Sequence, residues 1–416
     1  MPTQKLFVFY CILFLSIITG CARQSFNELT VEVMFNKEIS TEQIPITIDI
    51  PEEYGILFEL WEVKTLDSDT NNILYAQTWQ SPVNKNHDKG AHHKISFIWE
   101  PKQTIFPSKV QFSLKAINKS PEKLFKFEDD SNTGIKLYES DKSVLNYNYG
   151  MILKTGVPED RRRSSYIHPV YGLDDEILTD DFPKDHYHHR GIFWAWPHVI
   201  IDSVSNSLWD LKGIRHQFEN WLGKEVGPVF ARFGVSNGWY IDTKKVMQEI
   251  VWVTLFRAGS SARIMDFNFT WEPIDKPITL LGAENKGYGG FNLRFAPFKD
   301  PVITTRDGIH EKDSDRLRFP WADLSAKFSQ AQTYSGVAIF EHNGNINTPN
   351  TWTLRHYGFL NPSWPSLETY TVKPEEVISL HYRVLIHRGN AQEGKVQESY
   401  SLYANPPEVR IIDKKQ

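Results

Sequence analysis

The sequence predicts an all-β protein built as a large antiparallel sandwich. Alternation of apolar and polar residues with a period of two recurs along most of the chain. Each alternating run is bounded by Gly, Pro, Asn or Asp. No segment sustains a 3.6-residue period, and the best helical candidate is a short stretch at 209–221. Many strands without intervening helices call for packed antiparallel sheets. The 416 residues favour a large sandwich over a small barrel, and no fixed repeat supports a propeller.

The first 21 residues are expected to be an address rather than part of the fold. Lys5 supplies a positive start, and residues 6–18 form an apolar run of signal-peptide length, too short for a confident membrane span. The run ends in Ile18-Thr19-Gly20-Cys21, which resembles a bacterial lipobox. On that reading Cys11 is removed with the signal, Cys21 is acylated, and the mature protein has no free thiol. Cysteine catalysis and a disulfide framework are then excluded. The expected location is the bacterial cell envelope, lipid-anchored through Cys21. Ala22-Arg23-Gln24 carries no acidic run, which favours a periplasm-facing body over the cell surface.

The strands follow in order. Ile44, Ile46, Ile48 and Ile50 alternate with Pro45, Thr47 and Asp49. Ile95, Phe97 and Trp99 form a second stripe, and Val110, Phe112, Leu114 and Ala116 a third. Val251, Val253 and Leu255 precede Met265, Phe267, Phe269 and Trp271, and Leu380, Tyr382, Val384 and Ile386 close the series. The polar stretch 126–142 is a candidate boundary between an N-terminal β region, 22–142, and a main sandwich, 143–416. It is equally readable as a long loop inside one continuous two-sheet body.

Composition narrows the function classes. A net charge of −5 gives no basic surface for nucleic acid. Aromatics at 13% can fill a core and still leave rings for a binding surface.

The most informative segment is 147–197. It holds Tyr166-Ile167-His168-Pro169, Leu178-Thr179-Asp180-Asp181, and Asp185-His186-Tyr187-His188-His189-Arg190-Gly191 running into Phe193-Trp194-Ala195-Trp196. Supporting motifs are 286–294, 335–340 and Thr351-Trp352-Thr353-Leu354-Arg355-His356-Tyr357-Gly358. Together they resemble the family labelled DUF6807, also called PmoA-like, found in bacterial carbohydrate-utilisation settings. The methane oxygenase suggested by the second label does not fit, because a membrane copper monooxygenase needs several spanning helices. The resemblance implies instead the β-supersandwich of galactose mutarotases and several polysaccharide lyases. Mutarotase-like sites use histidines and a carboxylate without metal.

Candidate site residues follow from this frame. If 186–189 is extended, His186 and His188 share one face and Tyr187 and His189 the other. An unperturbed imidazole titrates near ~6.5 and can both give and take protons at neutral pH. Arg190 beside it suits a sugar carboxylate or a developing oxyanion. Pro169 holds His168 extended and so fixes its imidazole. Glu249 has the inward parity of Val251 and Val253 and is a candidate acid or base. The catalytic candidates are therefore His168, His188, His189, Arg190 and Glu249. Tyr187, Trp194, Trp196, Tyr288, Arg294 and His356 are substrate-binding candidates, with Glu284 a second possible base. Asp266 and Asn268 are placed on the concave face of a sheet, where a sugar would lie, or on an ordinary solvated one. Phe193, Trp321, Trp352 and Trp364 extend the aromatic set available for stacking on sugar C–H faces. His381, Arg383 and His387 share strand parity and read as structural or peripheral.

The expected function is an envelope carbohydrate-active enzyme using acid–base chemistry as a lyase, hydrolase or epimerase, with no cofactor. Its partners are then a saccharide and, through Cys21, a membrane. Two alternatives remain at this stage: a glycan-binding lipoprotein without turnover, and a metal-dependent enzyme or redox protein. In the latter, His186 and His188 would hold one divalent metal, with His168 or an Asp from Asp180, Asp181 or Asp185 completing the set.

Overall fold

Alternation along single strands decides which residues reach the interior. In the computed structural model, the strand Ile44–Ile50 buries its four isoleucines and turns Pro45, Thr47 and Asp49 outward. Ala262–Pro273 does the same with Met265, Phe267, Phe269 and Trp271 inward. The structure describes residues 24–36, 41, 43–51, 54–55, 58–66, 73–81, 93–101, 108–118, 121, 123–130, 133–329, 331 and 333–415. The expected signal segment and Cys21 lie outside them.

The protein is all-β, with several antiparallel sheets. Two nine-stranded sheets dominate. The first runs from Arg215–Val226 through Phe230–Ile241, Lys244–Phe256, Ala262–Pro273 and Ile378–Arg388, then to Ser335–Glu341, Trp321–Phe328, Phe298–Thr305 and Gly308–His310. The second places Gly290–Arg294, Ile192–Ala195 and Tyr166–Val170 at its centre. It ends on Ser314–Arg318 at one edge and Phe125–Asp130 at the other. Their inner faces interdigitate into one core, as sandwich sheets do. Trp194 of the second sheet meets Phe269 of the first edge to face at 4.9 Å, and Phe291 stacks on Tyr382 at 4.7 Å.

A smaller seven-stranded sheet carries its own core around Trp61, Phe97 and Phe112. It packs near the outer face of the first large sheet, where Arg232 lies between Trp79 and Trp252 and donates to the Gln80 carbonyl. One of its edge strands, Glu408–Lys415, comes from the far end of the sequence and pairs antiparallel with Glu28–Phe35. Close packing on the outer face also fixes Gly234, since a Cβ there would sit 2.6 Å from the Trp252 ring.

Two local expectations are corrected. The helical candidate at 209–221 is a turn followed by the long strand Arg215–Val226. The single α-helix among the described residues is Val396–Ala404. The described part of the polar stretch 126–142 is mostly strand. Phe125–Asp130 and Gly134–Glu139 form a hairpin at the edge of the second sheet, where charged side chains face water. Among the described residues no helix is long and apolar enough to cross a membrane.

Candidate functional site

The histidine motif is not extended. His186 N–H donates to the Pro183 carbonyl and His189 N–H to the His186 carbonyl, giving two successive tight turns. The turns lay His186 on His189, with ring centroids 4.7 Å apart and planes 8° from parallel. Tyr357 covers the other face of His186 at 5.4 Å, and Phe359 the other face of His189 at 4.7 Å. The result is a four-ring stack, so His186 and His189 share a face rather than opposing each other. His188 stands nearly perpendicular to both.

Other connections close around this stack. Trp209 packs edge-on to His189 and tilted to His188, and Tyr288 leans on Trp209 at 4.6 Å. Asp210 approaches His188, with Oδ1 3.8 Å from Nδ1, and Arg161 lies 3.8 Å from the same oxygen. The site is therefore assembled from residues 183–191, 208–210, 288 and 355–359 at one end of the second sheet. His189 is buried, while His188 keeps 22% of its side chain exposed.

Burial sets the protonation states. It lowers His188 to about 3, helped by the neighbouring His186 and by the Arg163 guanidinium. Burial also holds His189 well below the usual imidazole range. Both rings are neutral at pH 7. Burial raises Tyr288, and the Asp210 carboxylate adds to the effect, so its hydroxyl stays protonated. Asp185 feels burial pushing it up. The His186 hydrogen bond and the Arg294 charge outweigh this, and its carboxyl ends below the ordinary value.

Several sequence candidates sit elsewhere. Arg190 is wholly buried, its guanidinium 3.4 Å above the Phe182 ring. It donates to the carbonyls of Tyr187, His189 and Arg161, and its Nε lies 3.4 Å from Asp181. It clamps the loop backbone and offers nothing to a ligand, while Tyr187 enters this clamp through its carbonyl. Glu249 points inward as its parity predicted, but into the closed core. It accepts from Asn237, Trp239 and Trp271 at 2.8–2.9 Å, with His216 at 3.3 Å. Burial alone would raise its carboxyl, but His216 and these donors hold it at about 2.

His168 pairs through Nδ1 with Thr179 at 3.0 Å and is lowered by burial to about 4. His356 has Nδ1 on Asp313 and Nε2 on the His310 carbonyl, both at 2.9 Å, which turns it toward the outer hairpin. Glu284 is exposed on its loop. Trp194 and Trp196 are core residues, as are Phe193, Trp321, Trp352 and Trp364. Arg294 does reach the site. It holds Asp185 at 3.2 Å and lies 4.8 Å over the Tyr357 ring, with buried Nε and Nη1 lacking hydrogen-bond partners. Among the described residues no three His, Cys, Asp or Glu side chains converge to hold a metal ion, so the alternative set of His168, His186 and His188 is not assembled.

Trp209, Asp210 and Phe359 were not singled out from sequence. The Ser207-Leu208-Trp209-Asp210 turn was the only signal for the first two. In it the Asp210 N–H donates to Ser207 Oγ at 3.0 Å.

The histidine turn, the Gly-rich 287–290 loop and the 351–358 strand all fall inside residues 134–401. That span matches the family described as "Family of unknown function (DUF6807)". The chain belongs to DUF6807. No curated protein matches it. This DUF6807 protein is similar in structure to a protein in glycosyl hydrolase family 38 from Enterococcus faecalis. The TM-score is 0.47 at 9% identity, over 94% of this chain and 48% of that one. It is also similar to an alpha-mannosidase from Enterococcus faecalis V583, with a TM-score of 0.41 at 8% identity, over 94% and 46% of the two chains. The DUF6807 chain thus spans about half the length of the solved structures it matches.

Proposed function

We propose that this protein is a carbohydrate-active enzyme of the bacterial cell envelope, tethered through Cys21, with the histidine turn as its acid–base centre. The observation that carries the reading is the placement of His188. A neutral, partly exposed imidazole lies 3.8 Å from the Asp210 carboxylate and packs on Trp209, whose ring also contacts that of Tyr288, a phenol kept protonated by burial. His188 is the proton acceptor, and Asp210 stabilises the imidazolium that forms. Tyr288 is the complementary donor. Trp209, Tyr288 and Tyr357 supply flat apolar surface for the C–H faces of a sugar ring. The unpartnered N–H groups of Arg294 favour a substrate carrying a carboxylate near Tyr357.

The test is turnover of neutral and uronic-acid oligosaccharides followed by proton NMR, which registers cleavage, elimination and epimerisation alike. His188→Gln and Tyr288→Phe should each lower the rate by about 10²–10⁴-fold with an unchanged melting temperature. Tight binding of a saccharide without any conversion would replace the enzyme by a glycan-binding lipoprotein.

A further inference from the structure

A large cavity among the described residues lies far from the histidine turn in sequence. It occupies about 740 Å³ between the seven-stranded sheet and the outer face of the first large sheet. That is within the range of about 300–1,000 Å³ for small-molecule sites. Its floor includes Asp266 and Asn268, which alternate outward from the core stripe Met265, Phe267 and Phe269. The expectation that this pair lines a surface suited to a sugar points to this cleft, on the outer rather than the inner face of the sheet.

Two features of the cleft specify its ligand. The first is charge balance. Arg383 donates to both oxygens of Asp266 at 2.6 and 2.8 Å, and Lys94 pairs with Asp49 at 2.5 Å. Burial keeps His342 and His381 below the usual imidazole range, with the neighbouring Arg383 adding to it at His342 and the neighbouring His342 at His381. No net charge remains to attract an ion. The second is a matched donor and acceptor. His381 Nδ1 meets the Asn268 carbonyl oxygen at 2.7 Å, which puts its proton there and leaves Nε2 as an acceptor. His342 Nδ1 accepts the Gly344 N–H at 3.0 Å, which puts its proton on Nε2 as a donor. The two rings stand 5.7 Å apart at 75°. A hydroxyl group, which gives one hydrogen bond and takes another, satisfies both nitrogens. Tyr403 and Trp79 add flat apolar walls.

We infer that this cleft is a second binding site, for an uncharged, hydroxyl-rich ligand of the size of a mono- or disaccharide. It stands on residues separate from the histidine turn, so it does not depend on the acid–base reading. In an enzyme acting on a polymer, it would hold a neutral stretch of chain away from the reacting centre.

The experiment is a titration of the full chain, signal segment removed, with glucose, galactose, mannose, N-acetylglucosamine and their disaccharides. Glucuronate and galacturonate serve as charged comparators. Calorimetry gives affinity, and imidazole ¹⁵N shifts of histidine-labelled protein show which rings respond. A neutral sugar should bind, move the Nε2 signals of His342 and His381, and bind at least about tenfold more weakly to Asn268→Ala. Thr254→Trp, which fills the cleft without removing a polar partner, should weaken binding equally, while His188→Gln should leave it unchanged. Overturning results are failure of every neutral sugar to bind, uronates binding as well as neutral sugars, or loss of binding in His188→Gln but not in Thr254→Trp.

Discussion

His186 lies flat on His189, 4.7 Å between ring centroids, and this pair is itself held between Tyr357 and Phe359. The stack uses the faces of two histidines to build a wall, against which His188, with 22% of its side chain exposed, stands nearly perpendicular. Shortening the wall should therefore disturb His188 indirectly. Tyr357→Ala should raise KM for the saccharide more than it lowers kcat, whereas His188→Gln should act mainly on kcat. Steady-state kinetics of the two variants separates these outcomes.

Gly191 ends the histidine turn and enters the strand Ile192–Ala195. A Cβ at this position would lie 2.1 Å from the Ile167 carbonyl oxygen, a backbone atom that cannot swing aside. Gly191→Ala should cost about 1–3 kcal/mol in overpacking and lower the melting temperature. The change should also spread to the loop, because Gly191 N–H donates to the Asp180 carbonyl at 2.8 Å.

Buried histidines make the fold sensitive to acid, while Glu341 and Asp181, which burial raises to about 8 and about 6, act in the opposite sense. Burial lowers His168 to about 4 and His188 to about 3, while unfolded imidazoles titrate near ~6.5. Between these values these two histidines bind more protons in the unfolded chain, so their contribution to stability falls as pH drops from about 6.5 toward 4. His387 acts in the opposite sense. Burial opposes its charge, but Asp323 at 2.8 Å more than compensates and raises it. Its contribution is complete below ~6.5 and disappears as pH rises through the folded value. Melting temperatures against pH should show a shallower acid limb in His188→Gln and a shallower alkaline limb in His387→Gln.

Glu249→Gln separates fold from chemistry. The amide would turn an N–H toward donors now satisfied by a carboxylate, so stability should drop by about 1–3 kcal/mol for each orphaned group. Turnover per folded molecule should persist. A variant with normal melting and abolished turnover would show that Glu249 is reached by substrate after all.

Cys21→Ser should move the protein from the membrane fraction to the soluble one, and mass spectrometry of the native N-terminus should find an acylated cysteine. A soluble wild-type protein with an unmodified N-terminus would remove the envelope tether from the functional reading.

Strand identity was legible because alternation is a local signal and burial follows it residue by residue, as in Ile44–Ile50 and Ala262–Pro273. The helical reading of 209–221 failed because its aromatic residues sit on both sides of a turn rather than on a helix face. The histidine turn was legible as a cluster, but not as a geometry. Spacing cannot show that Arg190 is drawn inward by three carbonyls, or that Asp210 arrives from another loop to meet His188. Trp194 and Trp196 were misread because an indole in a sheet core and one at a sugar site look alike in sequence. Only the long-range pairing of the sheets distinguishes them.

The edge pairing of Glu28 with Lys415 has a consequence for how the chain matures. Glu28–Phe35 pairs on one side with the early strand Ser108–Ile117, but its other edge stays open until Glu408–Lys415 has been made and delivered. The other six strands of this sheet lie before residue 118 and can pair first, so its last edge closes only once the end of the chain returns. Removing Glu408–Lys415 should leave the sandwich able to form but expose that edge to pairing with other chains.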